Sequence, residues 1–96
     1  MEELNIPQAD WFREYLSEHF PGQPLPARAS GMDTVVIDVT DSLGRPKELR
    51  IPLELLQAYP KPTVQEYLRN AAIAEQIEVV PGSVSIDLSR VRGLLP

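Results

Sequence analysis

Ninety-six residues with a formal charge of −5 and no cysteine fit one modest domain and exclude disulfides, thiolate metal sites and a cysteine nucleophile. The acidic balance speaks against a general nucleic-acid binder, because phosphate neutralisation supplies most non-specific affinity. No apolar run approaches the ~20 residues of a membrane helix, and Met1-Glu2-Glu3 is acidic where a signal peptide is basic, so a cytoplasmic protein of bacterial or phage origin is expected.

Asn5-Ile6-Pro7-Gln8 has the form of a helix start, with Asn as cap and Pro in the first turn. Phe12, Tyr15, Leu16 and His19 then share one stripe, Trp11 and Phe20 flank it, and Asp10, Arg13, Glu14, Ser17 and Glu18 fill the opposite face. Pro21-Gly22 ends this amphipathic helix (residues 1–20). Its aromatic face needs a cover, and Trp11 and Tyr15 are its candidate protein-interface residues. His19, the single histidine, is expected to pack there rather than to do acid–base chemistry. Residues 21–33 hold three Pro and two Gly, the composition of a stiff linker. It reaches up to about 40 Å where extended, so the helix can dock on its own body or on a neighbour's.

Residues 34–96 form the body. Val35, Ile37 and Val39 alternate with Thr34, Val36, Asp38 and Thr40, the period of a half-buried strand. Asp41-Ser42-Leu43-Gly44-Arg45 supplies a side-chain-capped turn with Gly at positive φ. Leu49 and Ile51 alternate with Glu48 and Arg50 to complete a hairpin. A short helix from Pro52 to Tyr59 follows, then a capping box Thr63-Val64-Gln65-Glu66 opening a second helix with Val64, Tyr67, Leu68, Ala71 and Ala74 buried. At ~100° per residue, Ile73 falls nearly opposite that stripe. Ile73 and Ile77 are therefore candidate interface residues, alongside Trp11 and Tyr15. Ile77–Val80, Pro81-Gly82 and Val84–Leu88 read as a second hairpin around a type II turn. The expected fold is α+β: a four-stranded antiparallel sheet of two hairpins, with two or three helices on one face.

Catalytic chemistry is hard to assemble from these residues. There is no second histidine for zinc or a triad, and the five glycines are scattered. Asp38 and Asp87 occupy matching strand positions, so a paired-aspartate site is the one enzymatic alternative. No cofactor, metal or small-molecule substrate is indicated.

One local pattern resembles a known family. Asp41-x-Leu43-Gly44-Arg45, running into Ile51-Pro52-Leu53-Glu54-Leu55, is similar to the AbrB/MazE swapped-hairpin transcription factors. The resemblance implies two interlocked chains presenting Arg45, Lys47 and Arg50 to DNA. Pro46-Lys47-Glu48 separates the two halves of the motif, a helix precedes the last hairpin, and the chain is acidic. The leading expectation is instead a non-enzymatic interaction module that acts by protein–protein binding, as a homodimer.

Overall fold

The structure, a computed structural model, describes residues 9–86. Among these, the chain runs α1 (Ala9–His19), β1 (Ala27–Ser30), β2 (Thr34–Thr40), β3 (Pro46–Pro52), α2 (Leu53–Ala58), α3 (Lys61–Asn70), α4 (Ile73–Val79) and β4 (Ser83–Ser85). The class is α+β. The four strands lie in the order β1-β2-β3-β4, antiparallel except for the parallel β3–β4 pair. The sheet is thus mixed, which corrects the wholly antiparallel expectation.

The strand pattern decides which way each side chain faces. Val35, Ile37 and Val39 of β2 and Leu49 and Ile51 of β3 point inward and join side chains from all four helices in one core. Asp41 closes the β2–β3 turn as its sequence implies: Oδ1 accepts the Leu43 and Arg45 amides at 3.0 and 2.9 Å, and Gly44 has φ 80°. A residue there with a Cβ would be strained.

β1 lies inside the expected linker. Ala-Arg-Ala-Ser carries no β-branched residue, so only its neighbour makes it a strand: β2 offers a free edge and β1 pairs along it. The prolines before β1 lack donors, and Gln23 compensates. Its side-chain amide donates to the Thr40 carbonyl at 2.6 Å and accepts the Thr40 amide at 2.7 Å, standing in for a peptide group.

Three further expectations are corrected. α3 begins at Lys61, with Pro60 as cap and no side-chain capping bond, because Pro62 is harmless within a first turn; the Thr63–Glu66 box is not used. The helix also breaks after Asn70. Ala72 is left-handed at φ 52°, so α4 starts on a new axis, and the angle that placed Ile73 outside applies only to an unbroken helix. Finally, Ile77–Val80 ends a helix instead of forming a strand, so the second hairpin does not occur. The helical connection through α2, α3 and α4 supplies the crossover that a parallel β3–β4 pair requires.

α1 docks on its own chain. Phe12 and Leu16 are buried, and the Tyr15 hydroxyl accepts the Ala74 amide at 2.9 Å, satisfying an orphan donor in the first turn of α4. Its acidic face meets α3 through Glu14 and Lys61 (3.1 Å). His19 is exposed, its ring centroid 4.7 Å from that of Tyr15, which corrects its expected burial. The helix start at Asn5, and the strand and tail beyond Ile86, lie outside the described residues.

Candidate functional site

The residues singled out from the sequence fall in three places. Tyr15, Ile73 and Ile77 are sealed within the subunit, at 6%, 1% and 0% exposure. Tyr15 is spent on α4, and burial, acting against its hydrogen bond from Ala74, raises its hydroxyl pKa. The break at Ala72 turns both isoleucines into the core. None of the three is open to a partner; Trp11 alone of the four keeps accessible surface, half-buried against the core.

The three cations do not share a surface. Lys47 lies opposite Val39 on the inner side of β3 and is 4% exposed. Its ammonium donates to the carbonyls of Ile77 (2.6 Å) and Val80 (2.8 Å) and lies 3.3 Å from Asp41. A cation at a helix C-terminus satisfies carbonyls left without intrahelical donors. Arg45 continues that cap, donating from Nη2 to the Glu78 carbonyl (3.0 Å) and from Nε to Asp41 (2.7 Å). Glu78 answers by accepting the Ser42 amide and hydroxyl at 2.9 and 2.6 Å. Burial pushes the Asp41 pKa up, but hydrogen bonds from the Arg45 amide and guanidinium, Lys47 and the Leu43 amide outweigh it and leave it at about 2. Two of the residues implied as DNA contacts therefore fasten the β2–β3 turn to α4. Only Arg50 projects from the outer face of the sheet. Alternation alone gives Lys47 its inward side; a lysine there escapes notice because a core position is expected to be apolar.

That outer face carries no described helix. Its polar side chains are tied to one another. Arg28 donates from Nε and Nη2 to Asp38 (3.2 and 3.3 Å) and from Nη2 to Glu48. Arg50 donates to Glu48 (3.2 Å) and to the Ser30 hydroxyl (3.0 Å). The bond to Asp38 is the main cause that holds the Arg28 pKa above its ordinary value. Val36 faces this side between its strand partners Arg28 and Arg50 and is nonetheless fully buried. Asp38 has Glu48 as its cross-strand partner. Its expected partner, Asp87, lies outside the described residues. The register was available from the turn, since pairing Thr40 with Pro46 fixes Asp38 opposite Glu48.

At the turn end of this face the sheet forms the floor of an open cleft of about 630 Å³. Asp38, Thr40, Pro46 and Glu48 line the floor, the segment Gln23–Pro26 one wall, and Gly82 with Ser83 the other. The size lies within the ~300–1,000 Å³ typical of ligand sites. The walls are fixed by hydrogen bonds to the floor strands: the Pro26 carbonyl accepts the Asp38 amide (3.1 Å), and the Gly82 carbonyl accepts the Glu48 amide (3.0 Å). No group of His, Cys, Asp and Glu able to hold a metal ion occurs among the described residues. Among the described residues, the cleft's carboxylates Asp38 and Glu48 are engaged with arginines, and the lone histidine lies on α1. Compared with protein-family models, curated proteins and solved structures, the sequence and fold give no match.

Proposed function

We propose that the protein is an interaction module that works by binding another protein along the outer face of its sheet, with no cofactor and no chemistry of its own. One observation carries this reading. The helical faces are consumed in a single intramolecular core, while a cleft with walls fixed by backbone hydrogen bonds stands open on the other side of the sheet. A surface already ordered before binding loses little conformational entropy when a partner arrives. The test is capture from the native host with the full chain and with Ser83→Trp, which fills the cleft from an exposed wall position. A partner retained by the first bait, lost with the second and reconstituted from pure components supports the reading. A partner held equally by both baits refutes it.

Homodimerisation is the second element of the proposal, on new ground. Of the residues first expected to mediate it, Tyr15, Ile73 and Ile77 are buried and Trp11 is half-buried, but Leu43 and Val79 are 74% and 77% exposed. The bonds from Ser42 and Arg45 to Glu78 bring the turn bearing Leu43 alongside the helix end bearing Val79. Light scattering on dilution should show a dimer that Leu43→Ser with Val79→Ser dissolves; a strict monomer at millimolar concentration removes it.

A further inference from the structure

We infer that two copies of the chain join along β4, edge to edge and antiparallel, so that their sheets run on as one; this rests on the homodimer reading above and says how that dimer is built. β4 is the last strand of the sheet among the described residues. In a parallel pair, one residue of each aligned couple makes both bonds across the ladder. The Glu48 amide donates to the Gly82 carbonyl (3.0 Å), and the Arg50 carbonyl accepts the Ile86 amide (2.9 Å). Glu48 and Arg50 therefore hold the ladder, and the residues aligned with them, Ser83 and Ser85, turn their own peptide groups to the far side. The Ser83 amide donates to the Pro81 carbonyl (3.0 Å). Ser85 thus directs both its amide and its carbonyl at the open edge, and Ser83 directs its carbonyl there.

Natural sheet edges are guarded by charge, proline, bulges or a covering element. Ser83-Val84-Ser85-Ile86 has no charge and no proline, and both serines are exposed. The opposite edge differs. The Pro26 carbonyl accepts the Asp38 amide, so Pro26 and Arg28 face β2 while Ala27 and Ala29 face outward. Ala27 is 1% exposed, hence covered, and a twofold pairing centred on β1 sets Arg28 opposite the same residue of a second copy, a like-charge clash. On β4 the same operation is favourable. A twofold axis at Ser85 closes two reciprocal amide–carbonyl bonds between the copies and sets Val84 opposite Ile86 on the inner face, an apolar pair. The edge is also continuous with the exposed Val79. Ser83 follows Val79 by four residues, roughly 14 Å at most, and α4, which ends at Val79, packs on β4. A second copy therefore covers the open edge and Val79 in one contact. Because Ser83 also lines the cleft, the join puts both clefts on one continuous outer face, on either side of the axis.

The test uses the full chain from micromolar to millimolar concentration, read by light scattering and by amide hydrogen exchange. The Ser85 amide should gain protection as the dimer forms and lose it on dilution. Ser85→Pro removes that donor at a place where no bond to β3 depends on it, the kind of edge position that proline tolerates. It should leave the melting temperature of the monomer unchanged and weaken the dimer by at least ~10-fold, as expected for two lost hydrogen bonds. Where the proline variant fails to fold, a charge pair decides. Ser85→Lys and Ser85→Glu should each associate more weakly than the parent, yet form a heterodimer when mixed, because the axis sets residue 85 opposite itself. A dimer that Leu43→Ser with Val79→Ser dissolves, but that Ser85→Pro and both charge variants leave intact, overturns the edge and keeps the homodimer reading. A strict monomer at millimolar concentration overturns both. Protection of the Ser85 amide that does not change on dilution also overturns the inference, since the chain's own residues then cover the edge.

Discussion

Replacing Lys47 by methionine should be among the most damaging single changes to the body, although it inserts an apolar side chain of similar length into a core-facing position. The ammonium donates to two carbonyls at the end of α4, Ile77 at 2.6 Å and Val80 at 2.8 Å. Ile77 is fully buried and Val80 partly so, so the first carbonyl loses its donor with no water to replace it, and the second with some. An unsatisfied buried acceptor costs about 1–3 kcal/mol. Methionine avoids the cost of burying a charge, which offsets part of the loss. The net estimate is about 2–4 kcal/mol, a large share of the ~5–15 kcal/mol that holds a typical domain together. For a chain of this size that is a fall in Tm of roughly 10–25 °C. Urea unfolding followed by Trp11 fluorescence and far-UV circular dichroism measures it directly. Lys47→Arg should rescue only in part, because the longer, planar guanidinium does not fit the closed site that the compact ammonium fills. If Lys47→Met costs less than ~1 kcal/mol, the ammonium is not what closes α4, and the reasoning about the turn fails with it.

Ala72→Gly should stabilise the protein by roughly 1 kcal/mol, because it removes the left-handed strain at φ 52°; a lower melting temperature would contradict the break between α3 and α4. Tyr15→Phe should cost about 1–2 kcal/mol by leaving the Ala74 amide without its acceptor, measurable as faster hydrogen exchange at that amide; unchanged exchange would argue against the cap. The Asp41 carboxyl sits at about 2 against an ordinary 3.8. A depressed folded value adds stability above pH 3.8 that disappears as pH falls toward 2. Asp41→Asn should therefore flatten the acid limb of the stability profile between pH 4 and 2, and an unaltered limb would refute the assignment.

The central strands were legible because alternation is a local property. Val35, Ile37, Val39, Leu49 and Ile51 identify one buried row by themselves, and Asp41 with Gly44 identifies the turn. With that turn fixed, the pairing of Asp38 and Glu48 was also available by counting. β1 was not legible, since Ala27–Ser30 has no intrinsic preference for a strand and becomes one only where β2 offers a free edge. Nor was the cleft, because its walls come from residues 23–26 and 82–83, far apart in the chain and joined only through β2 and β3.

The sequence by itself determined an α+β chain with an amphipathic first helix, a buried two-strand row and an acidic surface, all from patterns a few residues long. Tertiary structure alone decided where the isoleucines went and what the inward lysine would bind. A single left-handed alanine redirected Ile73 and Ile77 into the core, and the end carbonyls of α4 supplied the partners of the inward Lys47. The carbonyls that hold Lys47 lie 30 and 33 residues away, and the Tyr15 hydroxyl that caps the new helix after Ala72 lies 59 residues from Ala74, so the energy that selects these conformations exists only after the chain has folded back on itself.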